Sequence, residues 1–382
     1  MEWIECTLGD VLNFRRGYDL PHSEMRGGDV PVAGSNGVIG YHDVATSISP
    51  VITIGRSGNV GTPFMYEKAW AHNTTLFIDD FKGNDPLYLY YLIKTLPLSS
   101  FGGGSAVPTL NRNHIHPLVI KHCSDLNEQR RIAGILKSFD DKIALNSRIN
   151  HNLEEQAQAL YKSWFVDFEP FKDGTFVDSE LGMIPEGWKI QSLDSLCSII
   201  SRGFSPNYNE NSEDLVLGQR CVLNNLIDIS LSRKHTPKNL GERELQKWDI
   251  LINSTGMGSL GRVAQIYFDP SRLTFDSHLT LVRAQNDHYK LFLGRNLLSR
   301  QDEIENMAVG STGQTELPRD RVRAMSILCP PESVVLSFGQ IIRALSDAIQ
   351  SNIEMNMSLS KDRDELLPKL MSGEPESQFI IN

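Results

Sequence analysis

The stretch from Asp125 to Phe165 contains no proline and a single glycine, Gly134. Apolar side chains recur at Ile132, Ile135, Phe139, Ile143, Ile149, Leu153, Ala157, Leu160 and Trp164, with Asn146 filling the one gap in register. Steps of three and four are the period of an α-helix with one apolar stripe. Asp125 and Glu128 have the spacing of a capping box, in which each side chain satisfies the other's orphan backbone N–H. A helix of this length reaches roughly 60 Å at ~1.5 Å per residue, too long for one face of a small domain. A second stripe steps through Phe338, Ile342, Leu345, Ile349, Asn352, Asn356, Leu359, Arg363, Leu366 and Leu370. Pro368 is expected to end or kink that helix near Leu366 or Leu367. Asn146 and Asn150 in one stripe, and Asn352 and Asn356 in the other, suit a paired seam in which buried asparagine fixes register.

The rest of the chain reads as a duplication. Residues 1–124 form a strand-rich domain with β-branched runs at Ser49–Ile54, Thr74–Ile78 and Pro117–Ile120, and a short helix at Pro86–Leu96. Trp3, Leu8 and Val11 recur as Trp188, Leu193 and Leu196, and the glycine loop Gly55–Gly61 recurs as Thr255–Gly261. Leu291–Arg300 stands where the short helix stood. Gly104-Ser105, Pro108, Leu110 and Ile115 recur as Gly310-Ser311, Thr315, Leu317 and Val322. The expected organisation is a first domain at 1–124, a central long helix at 125–170 and a linker at 171–185. A second domain at 186–330, a C-terminal long helix at 331–372 and a flexible tail at 373–382 follow. The fold class is α+β: two tandem mixed α/β domains, each followed by a long helix. Like units joined through like helices pack most simply about a pseudo-two-fold axis, which makes the helices an antiparallel coiled coil. The asparagine positions fit a parallel pair equally well.

Composition narrows the function. No apolar run approaches the ~20 residues of a membrane helix, and the N-terminus has no basic and apolar leader. Cys6, Cys123, Cys197, Cys221 and Cys329 are scattered without CxxC spacing, as expected for a reducing cytoplasm and against structural zinc or disulfides. His114, His116 and His122 lack a carboxylate or cysteine at ligand spacing, so no metal is expected there. The net charge is −10, and even residues 1–124 hold 9 basic against 11 acidic side chains. Nucleic-acid binding would need charge segregated on one face or a basic partner.

Catalytic motifs are absent. The one Pro-Pro, in Cys329-Pro330-Pro331-Glu332, has the wrong neighbours for an adenine methyltransferase. There is no Gly-Lys dipeptide for a phosphate-binding loop. Glu186-Gly187-Trp188-Lys189 misses a nuclease Glu-x-Lys by one residue.

Several segments resemble the DNA sequence-specificity subunits of type I restriction–modification systems. Leu126-Asn127-Glu128-Gln129-Arg130-Arg131-Ile132-Ala133 opens the central helix, which runs to Tyr161-Lys162-Ser163-Trp164-Phe165-Val166-Asp167-Phe168. Leu181-Gly182-Met183-Ile184-Pro185-Glu186-Gly187-Trp188 leads into the second domain. Phe338-Gly339-Gln340-Ile341 and Leu366-Leu367-Pro368-Lys369-Leu370-Met371-Ser372-Gly373 resemble the family's C-terminal helix. The second copy departs from the first, with Ser337-Phe338-Gly339-Gln340 in place of Glu128-Gln129-Arg130-Arg131.

The resemblance implies a non-catalytic subunit whose target-recognition domains each read one half of a bipartite site in double-stranded DNA. It implies two modification subunits that use S-adenosylmethionine for adenine N6 methylation, and restriction subunits that use ATP and Mg for translocation and cleavage. Base readout draws on Arg, Asn, Gln and Ser on exposed loops. The candidates are Arg56, Ser57, Asn59, His72, Asn73, Asn111, Arg112 and His114 in the first domain. In the second they are Arg202, Tyr208, Ser259, Arg262, His278, Gln314, Arg319 and Arg321. Glu154, Glu155, Tyr161, Trp164, Phe165, Asp362 and Glu365 are the candidates for docking the modification subunits, the acidic ones on exposed helix faces with Gln156. A stand-alone DNA-binding regulator and a helical scaffold are the alternative readings.

Overall fold

The computed structural model describes residues 3–101, 109–310 and 315–373. The chain divides into two compact units, residues 1–143 with 357–382 and residues 144–356. No helix among the described residues is long and apolar enough to cross a membrane.

In the first unit, β1 (Trp3–Thr7) leads into a one-turn helix α1 (Leu8–Val11) whose start is fixed by a capping box between Thr7 and Asp10. Then come β2 (Asn13–Arg16), β3 (Val30–Gly34), β4 (Gly37–His42), β5 (Ser47–Gly55), β6 (Pro63–Ala71) and β7 (Thr75–Asp80). They form one sheet in the order β2-β7-β5-β6-β3-β4. α2 (Pro86–Thr95) begins with Asp85 accepting from Tyr88 N–H at 3.0 Å and with proline at its first turn, where the missing N–H costs nothing. α3 (Arg112–Ile115) precedes β8 (Val119–Cys123), which pairs antiparallel with β1.

The long helix α4 runs from Leu126 to Phe165. At its start Asp125 Oδ1 accepts from Asn127 N–H at 2.9 Å, while the Glu128 carboxylate turns to Arg131, at 2.8 and 2.6 Å. Gln129, buried, donates to Asn84 Oδ1 and Cys123 O, both at 2.8 Å, and accepts from Asp85 N–H at 2.8 Å. One amide thus ties the first turn of α4 to the start of α2.

The second unit repeats this plan after the hairpin β9 (Phe176–Ser179) and β10 (Gly182–Pro185). β11 (Lys189–Ser192) leads into α5 (Leu193–Leu196), and β12 (Cys197–Arg202) opens a new sheet. The short strands β13 (Asn207–Tyr208), β14 (Leu215–Leu217), β15 (Val222–Leu223), β16 (Leu226–Ile227) and β17 (Arg233–Thr236) precede β18 (Ile250–Asn253) and β19 (Val263–Gln265). β20 (Leu273–Phe275) and β21 (Leu279–Ala284) complete two sheets, β12-β21-β18-β19 and β13-β17-β14-β20. The first matches β2-β7-β5-β6 strand for strand. α6 (Tyr289–Leu298), α7 (Gln301–Asn306) and α8 (Arg319–Arg323) lead to β22 (Ser326–Cys329), which pairs with β11 as β8 pairs with β1. The helix α9 (Glu332–Ser372) ends the described chain.

The glycine loops are closed alike, by Gly61 N–H to Gly55 O and by Gly261 N–H to Asn253 O, each at 2.9 Å. Gly55 therefore corresponds to Asn253, not to Thr255, and the second loop is two residues longer. Leu110 N–H donates to Arg56 O and Leu317 N–H to Ser254 O, at 2.7 and 2.8 Å, as the match of Leu110 with Leu317 requires. Gly104, Ser105, Pro108 and Ser311 lie outside the described residues, as does the tail beyond Gly373.

The long helices pair antiparallel within each unit. In the first, Arg363 of α9 donates to Asp140 Oδ1 of α4 at 2.6 Å, and Leu370 and Met371 join the core around Ile132 and Leu136. In the second, Asn146 Nδ2 donates to Asn356 Oδ1 and Asn352 Nδ2 to Asn150 Oδ1, both at 2.8 Å. Two expectations change. The buried face of α4 in the second unit follows Asn146, Asn150, Glu154, Ala157, Tyr161 and Phe165, while Ile149 is 40 % exposed. Asn146 and Asn150 are buried because α9 answers them across the seam, and Glu154 because Arg295 and Tyr267 do. α9 runs past Pro368 to Ser372, because burial of Leu370 and Met371 holds a last turn that the missing N–H would otherwise end.

Candidate nucleic-acid interface

In the first unit the sheet ends at a recess of about 370 Å³ lined by Arg15, Arg16, Arg56, Leu76, Leu110, Asn111 and Arg112. β2 supplies Arg15 and Arg16, the β5–β6 loop supplies Arg56, and the turn into α3 supplies Asn111 and Arg112. Arg56 is held by its backbone, donating to Thr74 O at 2.8 Å and accepting from Leu110, so its side chain faces the recess at no cost to the loop. Partial burial, then the neighbouring Arg16 charge, lowers the Arg56 pKa. Asn111 Oδ1 accepts from Asn113 N–H at 3.0 Å, and Arg112 donates to Phe14 O at 3.2 Å. Such a concentration of guanidinium groups on a chain of net charge −10 is the segregation that a phosphate backbone requires.

Arg56, Asn111 and Arg112 are thus brought together; the other first-domain candidates are not in this recess. Ser57 bridges to Thr109, and Asn59, exposed, accepts from Thr62 at 3.0 Å. His72 pairs with Thr74 Oγ1 at 2.9 Å, and burial lowers its pKa. Asn73 donates to Asp19, and His114 is exposed on α3. His116 accepts from Phe14 N–H at 3.1 Å and His122 is buried, so these two histidines are structural. Arg15 and Arg16 were missed. The repeat carried the signal: Arg16-Gly17-Tyr18 stands where Arg202-Gly203-Phe204 stands. A Cβ on either glycine would meet a backbone carbonyl oxygen at 2.2 Å, His72 O or Asp276 O.

In the second unit Tyr208 and His278 line a pocket of about 320 Å³ with Gly218, Gln219, Arg220, Arg233 and Asp276. The Arg233 guanidinium lies 3.5 Å from the centroid of the Tyr208 ring, and His278 Nδ1 is 2.6 Å from Thr255 Oγ1. Arg202 is tied down instead, donating to Leu317 O at 2.7 Å and Ser277 O at 3.2 Å and pairing with Glu316 at 2.9 Å. Arg262 and Arg321 likewise donate to Gly258 O and Met307 O, each at 2.8 Å. Ser259 sits half-buried in the glycine loop. Arg319 lines a separate recess with Arg243 and Arg323. Gln314 lies outside the described residues.

The helix candidates divide. Glu154, expected on an exposed face, is 1 % exposed and ion-paired with Arg295, itself 0 % exposed; Tyr267 Oη donates to it at 3.2 Å. Burial raises the Glu154 pKa and the Arg295 charge opposes that shift. Tyr161 and Phe165 belong to the core with Phe292 and Phe338, Phe165 lying 4.7 Å from Phe338 between ring centroids. Trp164 packs on the same cluster, because α4 needs an apolar face to bury there. Glu155, Gln156, Asp362 and Glu365 are exposed. Beside Glu155 a groove of about 980 Å³ runs past Lys162, Val166, Leu181 and Arg300, with Val166 and Leu181 as exposed apolar side chains.

Residues 1–155 match the family model of the type I restriction modification DNA specificity domain. The type I restriction enzyme MjaIX specificity subunit of Methanocaldococcus jannaschii is 30% identical over 309 residues, 75% of this chain and 68% of that protein. The HindI specificity subunit of Haemophilus influenzae is 24% identical over 315 residues, 65% of this chain and 68% of that protein. The crystal structure of the type I restriction–modification S subunit from M. genitalium superposes with a TM-score of 0.55 at 17% identity, covering 97% of this chain and 96% of that one, and so shares the fold. With that identity to MjaIX over more than two thirds of its length, this chain belongs to the specificity subunits of type I restriction enzymes.

Proposed function

We propose that this chain is a non-catalytic DNA-recognition subunit. In this reading each duplicated domain reads one half of a bipartite site in double-stranded DNA. Two modification subunits dock on the long helices and methylate adenine N6 with S-adenosylmethionine, and restriction subunits cleave with ATP and Mg. The observation that carries the reading is the duplication itself: two domains of one plan, each with a cationic or aromatic recess beside its glycine loop. Docking falls to Glu155, Asp362, Glu365 and the apolar rim at Val166 and Leu181, with Tyr161, Trp164 and Phe165 shaping the helix from beneath. The domain limits proposed from the sequence, 1–124 and 186–330, give the parts to exchange.

The test is methylation mapping in a host carrying this chain and its modification subunits. The expected result is a split N6-methyladenine motif that vanishes when the gene is deleted. Replacing residues 1–124 by another family member's domain should change one half of the motif only. A regulator acting alone would bind duplex DNA equally well with and without a modification subunit. The acidic balance instead leads us to expect weak binding alone and a gain on assembly.

A further inference from the structure

The pocket of the second unit contains a carboxylate, Asp276, with one oxygen that no described side chain answers. Asp276 is 6 % exposed, and its Oδ1 accepts from the backbone N–H of His278 at 2.8 Å. Its Oδ2 lines the pocket opposite Gly218, where an added Cβ would come within 2.9 Å of it. Among the described residues no side chain donates a hydrogen bond to Oδ2, and no guanidinium or ammonium group pairs with this carboxylate. Burial pushes its pKa up, while the backbone N–H and the charge of His278 oppose that shift. Its spare oxygen opens onto the pocket and is placed to accept from a donor brought by a ligand. Around it stand Arg233 stacked on Tyr208, a flat cationic platform, and the exposed Arg220, both suited to a nucleotide.

We infer that Asp276 reads an exocyclic amino group, adenine N6 or cytosine N4, at one position of the half-site read by the second unit. This rests on the functional reading above and adds to it a specificity-determining residue. Adenine and cytosine present amino donors in the major groove, whereas guanine O6 and thymine O4 at the corresponding positions are acceptors that a carboxylate repels. The same position in the first unit is His72, since Tyr18 bridges His72 as Phe204 bridges Asp276. The first unit has no carboxylate at this position, so the expected preference belongs to the half-site read by the second unit alone.

The test is Asp276→Asn in the full chain assembled with its modification subunits, acting on duplexes randomised in both half-sites, with methylated products sequenced. The His278 N–H keeps the amide oxygen at the Oδ1 position, so the amide NH₂ must take the place of Oδ2 and donate. The expected result is a reversal of preference at one position, from adenine or cytosine to guanine or thymine, by about tenfold or more. The other half-site should be unchanged. Gly218→Ala, which crowds Oδ2 from the opposite wall, should relax the same position without reversing it. An unchanged motif with Asp276→Asn overturns the inference and leaves the functional reading intact. If Asp276→Asn yields no active complex, Gly218→Ala decides: relaxation at one position supports the assignment, and uniform or no change overturns it. If the unsubstituted complex methylates no split motif, the functional reading fails and this inference with it.

Discussion

Glu154 and His122 show how far a residue's type can mislead about its surroundings. A glutamate four residues before Gln158 on a long polar helix reads as solvated, yet Glu154 sits against Arg295 and Tyr267. Nothing local announces Arg295, which lies in an apolar helix far along the chain. Removing one partner of a buried pair leaves the other charge uncompensated, so Glu154→Ala should cost about 3–5 kcal/mol of stability. The double variant Glu154→Leu/Arg295→Met should recover most of that loss in denaturant unfolding. His122 is buried against the Tyr88 ring, its Nδ1 has no hydrogen-bond partner among the described residues, and burial lowers its pKa from the ordinary 6.5. A lowered histidine pKa means that the unfolded chain binds more protons, so stability is full above about pH 6.5 and falls as the pH drops from there toward the folded value. His122→Phe should flatten part of that fall between pH 7 and pH 5 in thermal melts. At the cationic recess of the first unit, Arg56, Asn111 and Arg112 were legible as polar residues on loops. Arg15 and Arg16 were not, because on β2 they read as ordinary strand surface. Asp276 escaped because a search for cations and amides has no place for a carboxylate.

At the scale of elements, the long helices were legible because their period persists over many turns without proline or cap signals. Which face is buried was not fully legible in the second half of α4, where Ile149 yields to Asn150 and Glu154. Hydropathy ranks isoleucine above asparagine, but the seam rewards a side chain that can answer Asn352. Asn150 accepts from Asn352 at 2.8 Å and donates to Ile349 O at 3.3 Å. Asn150→Ala should therefore strand the Asn352 amide and cost about 1–3 kcal/mol. Asn150→Leu/Asn352→Leu should restore or exceed the original stability while loosening register, seen as broadened unfolding and lost protection in hydrogen exchange. The departure of Ser337-Phe338-Gly339-Gln340 from Glu128-Gln129-Arg130-Arg131 also has a physical account. Gln129 ties α4 to α2 through hydrogen bonds, whereas Phe338 packs in an aromatic cluster with Tyr161, Phe165 and Phe292. Counted from the helix starts at Leu126 and Glu332, Phe338 stands where Ile132 stands and the buried Val335 where Gln129 stands. An apolar side chain thus fills in the second copy the place of the hydrogen-bonding amide in the first.

At the scale of the whole chain, the functional reading makes the long helices a ruler between two readers, and this can be tested by length. A single insertion in α4 would set Asn150 against the wrong residue of α9. A matched insertion, seven residues after Asn150 and seven before Asn352, keeps both asparagine pairs and nearly preserves helical phase, since seven residues make close to two turns. It lengthens each helix by about 10 Å, or about three base pairs at ~3.4 Å each. The expected outcome is a methylated motif with both half-sites unchanged and its spacer longer by about three base pairs. The same motif with its original spacer would mean that something other than these helices sets the separation. Changed half-sites would mean that the insertion had reached the readers themselves. A seven-residue insertion in α4 alone should instead abolish methylation, because it moves one side of the asparagine seam by two turns without moving the other.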